Sequence, residues 1–221
     1  MLGLAAAGAL AGQLPRLPAL DFWLALAPIQ IAPLLAVLIV ARQRLPAGER
    51  VSAFELSSKG LKAIFRILPK AFLFCIGLHL AASAVVMATA MTLMFFGYEP
   101  SPMPILEILL ESPTVLLAVS VIVGAVIIAP FSEEILFRLV LFDALRPAGE
   151  KRAAVMTAAI FAVVHGSLLH IPALFFLGLV LQRLRLRSGS LWHPILAHML
   201  FNGLTFLYLG LMLLFHEDAL S

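Results

Sequence analysis

Charge is scarce in this chain. Only 12% of its 221 residues are Asp, Glu, Lys or Arg, against 62% hydrophobic residues and a mean hydropathy of +1.08. An ordinary soluble domain carries about 25% charged residues, so the solvent of this fold is lipid. Cysteine is almost absent: Cys75 stands alone in an apolar run, cannot form an internal disulfide, and reads as a small packing residue. The polar/apolar alternation of an outer-membrane barrel is missing too, which leaves an all-α bundle. No basic region precedes the apolar stretch from Leu2 to Gly12, and the first basic residue, Arg16, follows it, so a cleaved signal peptide is not expected. Internal repeats, low-complexity tracts and domain boundaries are likewise lacking, and residues 1–221 read as one integral membrane domain.

Long apolar runs are what remains. They predict six crossings, each of which needs about 20 residues to cover ~30 Å of hydrocarbon. These are Phe22 to Ala41, Ala71 to Phe96, Thr114 to Arg146, Ala153 to Leu169, Pro172 to Gln182 and Leu191 to Phe215. Between the first two, Arg50 to Lys70 mixes apolar residues with Lys59, Lys62, Arg66 and Lys70, as an amphipathic segment on an anionic leaflet would. The isoelectric point near 9.4 does not point to nucleic acid, because the basic residues cluster in short connections where they set topology. If the spans alternate, thirteen Lys and Arg residues fall on one side, with Arg138 inside a span. The positive-inside rule makes that side cytoplasmic and puts both termini outside a plasma membrane, expected to be a bacterial inner membrane.

Against this background Glu133 and Glu134 stand out. They end the apolar run Thr114 to Phe131, and ionisable groups inside a span mark a working site by default. Glu133 lies thirteen residues before Arg146, and His165 lies thirteen after Arg152. Both are therefore roughly 20 Å along their helices from the same surface, side by side in an antiparallel hairpin. His198, eleven residues after Arg187, is near the same level. Arg138 is four residues from Glu134, and Asn202 is four from His198, so each pair shares a helix face. A buried glutamate can take a proton from water. Neutral His and Asn can donate hydrogen bonds to a developing oxyanion, and together these groups suit peptide hydrolysis. Pro130, ahead of the glutamates, and Pro194, ahead of His198, are expected to open the helix ladder there.

Glu133-Glu134-Ile135-Leu136-Phe137-Arg138, Phe161 to His165, and His198 to Asn202 match EExxxR, FxxxH and HxxxN in that order. The stretch 114–205, the expected catalytic core, thus resembles the CPBP intramembrane proteases, a family of Abi, CAAX-protease and bacteriocin-processing proteins. The resemblance implies cleavage of membrane-associated protein or peptide substrates. Glu133 would be the general base, His165 its partner, and His198 with Asn202 the oxyanion hole. Glu134 and Arg138 would fix the geometry, with Phe161 packing beside them. No cofactor is expected. The alternative is a zinc enzyme with Glu133, His165 and His198 as ligands, although the chain has no His-Glu-x-x-His and asparagine is a poor zinc ligand. A proton-coupled carrier is the rival class, and it would be expected to show paired repeats. His79, His170 and His193 are read as structural.

Overall fold

The computed structural model describes residues 19–24, 35, 58–99 and 114–220, with side chains described within 19–24, 35, 68–99 and 114–212. Among these residues there is no strand, and the bundle is built from five principal helices. They are α1 (Ser58–Phe95), α2 (Val115–Ala148), α3 (Glu150–Val164), α4 (Ile171–Ser188) and α5 (Trp192–Leu220).

Three of these are long and apolar enough to cross a membrane: α1 over Leu68–Phe95, all of α2, and α5 over Trp192–Met212. Their outward faces carry Leu73, Phe95, Val115, Leu116 and Leu207, all exposed, as lipid-facing surfaces should be. The fourth and fifth expected spans are helices but shorter ones. α3 has 15 residues, about 22 Å of rise, and α4 has 18 with Arg183, Arg185 and Arg187 in its last turns. The first expected span lies almost wholly outside the described residues. Of the segment expected to be amphipathic, Arg50 to Lys70, residues 58–70 form the first part of α1, which runs through Pro69 without ending, and 50–57 lie outside the described residues.

Local chemistry sets the boundaries. Thr114 caps α2 by accepting from the Leu117 N–H at 3.2 Å. Gly149, at φ 106°, makes the turn into α3, and Gly189, at φ 62°, ends α4 in a left-handed cap. Pro194 is the third residue of α5, in the first turn, where an N–H has no intrahelical acceptor anyway. It therefore opens no gap ahead of His198, contrary to the sequence expectation.

The antiparallel pair α3–α4 is held close by Gly178: a Cβ there would lie 3.1 Å from the Ala158 Cα and Cβ. Small residues at such crossings let membrane helices approach. On its other side α4 packs on α1 and α5, where Cys75, Leu78, Leu177, Leu181 and Ala197 are buried together. A second core, Ile135, Leu191 and Ile195, ties α2 to the start of α5. These contacts hold α2, α3 and α5 around the glutamates.

Candidate active site

α2 is not a uniform helix. Two π-helical stretches, Gly124–Ile128 and Ile135–Leu141, flank the short α-helical piece Ala129–Glu134 that carries both glutamates. Such bulges recur at functional sites because they re-aim side chains and free backbone groups. The first does the latter. The Ala129 N–H donates five residues back to the Gly124 carbonyl, so it is not available to Ala125. The residue five after Ala125 is Pro130, which has no N–H to give. The Asn202 side chain of α5 supplies the donor, its Nδ2–H reaching the Ala125 carbonyl at 2.8 Å. The gap expected at Pro130 is thus bridged by Asn202. This leaves the second N–H of the same amide in an orientation fixed by the first.

The two glutamates divide their tasks. Glu134 is fully buried, with Oε2 accepting from Arg138 Nε at 2.9 Å and Oε1 facing His198 Nδ1 at 3.0 Å. Glu133 is 16% exposed, and its Oε2 lies 3.9 Å from both His165 Nε2 and His198 Nε2. The depth arithmetic that set Glu133 beside His165 and near His198 therefore holds in space.

Tautomers follow from the partners. His165 Nδ1 lies 2.6 Å from the Phe161 carbonyl, which can only accept, so Nδ1 carries the proton. A carboxylate held by Arg138 is also an acceptor, so His198 donates from Nδ1 to Glu134. In their neutral forms both imidazoles therefore turn the lone pair of Nε2 toward Glu133.

Phe161 is the hub beneath this layer. Its fully buried ring is 4.7 Å from the His165 ring, 5.8 Å from His198 and 5.2 Å from Phe137, centroid to centroid, with the Arg138 guanidinium carbon 4.9 Å from its centre. The sequence reading of Phe161 as packing understates how many site groups it touches. Phe137 and Gly178 also border the site, and motif spacing assigns neither of them a role. Glycine facing an expected aromatic is the available signal for Gly178, whose added Cβ would come 3.4 Å from Phe161 Cδ1.

The other histidines stand apart from Glu133 and Glu134. His79 packs edge-on to Phe201, and His170 Nδ1 pairs with Ser167 Oγ at 2.7 Å in the turn between α3 and α4. Burial first, and then the charge of His165, hold His170 below the ordinary imidazole value. Among the described residues no group of three or more His, Cys, Asp and Glu is arranged to hold a metal ion.

Residues 115–204 match the family described as type II CAAX prenyl endopeptidase, Rce1-like. The match is confined to that segment, under half of the chain. It spans the same helices and all three motifs, from the start of α2 through Asn202. A relative from Bacillus subtilis (strain 168), named "Putative membrane peptidase YdiL", is 34% identical over 85 residues, which is 37% of this chain and 34% of the relative. The chain thus spans about a third of that relative's length. No solved structure matches the chain. Together with its apolar helices, these likenesses make the chain an integral membrane protein.

Proposed function

We propose that this chain is an intramembrane endopeptidase whose Rce1-like segment cleaves membrane-associated polypeptides with water activated by Glu133. The observation that carries the reading is a carboxylate oxygen, Glu133 Oε2, facing two imidazole Nε2 atoms at 3.9 Å beside the buried Glu134–Arg138 pair. That spacing suits one water molecule bridging carboxylate and imidazole. Glu133 takes a proton from the water as its oxygen bonds to the scissile carbonyl carbon and the carbonyl π electrons move to oxygen. As the C–N bond breaks, the proton held by Glu133 passes to the departing nitrogen, leaving a carboxylic acid and an amine.

The oxyanion needs donors. His198 in its imidazolium form, with Glu134 as counter-ion, offers Nε2–H, and Asn202 offers the N–H that Ala125 does not use. Arg138 and Glu134 keep His198 in place, and Phe161 keeps both rings in place. No step passes through a metal. Loop charge supports a site that opens toward the cytoplasm, by the positive-inside rule.

The test compares native and Glu133→Gln proteins in liposomes loaded with a membrane fraction, with new peptide termini identified by mass spectrometry. Glutamine is nearly isosteric but a far weaker base, so the native protein should generate termini that the variant does not. Identical termini from both would remove Glu133 from the role of base.

A further inference from the structure

Below the catalytic layer three buried side chains carry polar atoms with no partner among the described residues. Arg138 and Thr157 are fully buried and Gln182 is 1% exposed. Arg138 Nη1 and Nη2, Thr157 Oγ1, and Gln182 Nε2 and Oε1 make no hydrogen bond with any described group. Leaving a buried donor or acceptor unsatisfied costs about 1–3 kcal/mol, more for a charged group, and these five atoms belong to three different helices.

Their placement brings them together. The Arg138 guanidinium lies over the Phe161 ring. Thr157 is one turn before Phe161 on α3, and Gln182 is one turn after Gly178 on α4, the residue that abuts Ala158 and Phe161. Helical side chains lean toward the N-terminus of their own helix, so Gln182 leans back toward Gly178. All three polar groups thus fall within about one helical turn of the Phe161 ring. Toward the basic end of the bundle the polar line continues to Arg185, which lies 3.6 Å from Asp143, whose side chain is 44% exposed.

We infer that Arg138, Thr157 and Gln182 line a buried hydrated chamber, and that its ordered waters connect the polar end of the bundle at Asp143 and Arg185 to the catalytic layer. Polar cavities of this kind hold waters making about three hydrogen bonds each, and the donors and acceptors here suit that role. The chamber is a source of hydrolytic water on the side of Glu134 away from the lipid-facing surfaces. Thr157 and Gln182 are positioning residues: through these waters they set the Arg138 fork, which holds Glu134 and, through it, His198. The link to hydrolysis rests on the peptidase reading, whereas the chamber itself does not.

The experiment is X-ray hydroxyl-radical footprinting of the full chain in lipid nanodiscs, since oxidation of a buried ring requires water beside it. Phe161, beneath the Arg138 guanidinium, and Phe142, whose ring centre is 5.4 Å from the Arg185 guanidinium carbon, are both fully buried. In the native protein both rings should be oxidised, and Thr157→Val with Gln182→Leu should reduce that labelling at least five-fold. Thr157→Ser, which keeps the hydroxyl, should label like the native protein. Rings unlabelled in the native protein, or labelled equally in the apolar variants, would overturn the chamber. In the cleavage assay the apolar variants should lose at least ten-fold in kcat with KM unchanged. Native-like kcat alongside lost labelling would overturn the water-supply role. Absence of cleavage by the native protein would instead overturn the peptidase reading and leave the footprint as the measure of the chamber.

Discussion

Replacing Gly178 by alanine should damage both the packing of α3 on α4 and the site above it. The new methyl would sit 3.1 Å from the Ala158 Cα and Cβ, where carbon atoms prefer about 3.5–4.0 Å. One of those contacts is backbone and cannot rotate away, so the helices must separate by several tenths of an ångström. Overpacking of this kind costs about 1–3 kcal/mol, while removing a helical glycine returns about 1 kcal/mol, so the net effect runs from about zero to a loss of about 2 kcal/mol. The same methyl stands 3.4 Å from Phe161, and movement of that ring displaces His165, His198 and Arg138 together. The assay is thermal unfolding in detergent, with turnover measured on the same preparations. Gly210→Ala is the control, because a Cβ there meets nothing within 4 Å and should leave the protein as stable or slightly more so. A Gly178→Ala protein with unchanged midpoint and turnover would show that the close approach of α3 and α4 does not hold the site.

Arg138→Ala strands the fully buried Glu134 and should destabilise by about 3–5 kcal/mol, whereas Arg138→Met combined with Glu134→Gln should cost less, which unfolding of the two variants would compare. Asn202→Ala should lower kcat about 10- to 1000-fold at nearly constant KM, as loss of an oxyanion donor does, and a change confined to KM would assign Asn202 to binding instead. With Cys75 replaced by Ala, a cysteine at exposed Glu150 should be shielded from an impermeant thiol reagent in intact cells while one at exposed Glu99 reacts; the reverse pattern would invert the topology.

Helix lengths and loop charges make the depth of Glu133, His165 and His198 legible in the amino-acid sequence, because rise per residue is fixed and a hairpin returns at the same rate. The pairing of Glu134 with Arg138 is legible for the same reason, through the four-residue spacing. What stays hidden depends on register across helices. Nothing local says that the Ala129 N–H skips to Gly124, and without that skip Asn202 has no reason to seek the Ala125 carbonyl. Apolar runs also overstate span length: the run ending at Leu169 stops being helix at Val164, where the Gly166 backbone at φ 69° turns the chain. Thr157 and Gln182 read as ordinary polar residues until the packing of α2, α3 and α4 buries both.

The central claim is that the Glu133 carboxylate, flanked by two imidazoles, activates water without a metal ion. Chelation alone is a poor test, because apolar chelators can themselves occupy a membrane cavity. The direct measurement is turnover of purified protein stripped to well under one equivalent of transition metal by elemental analysis, before and after addition of one equivalent of zinc. The account predicts full turnover before addition and no gain after it. Loss of activity on stripping, with recovery on adding stoichiometric zinc, would contradict it and make Glu133, His165 and His198 the ligands of a catalytic metal.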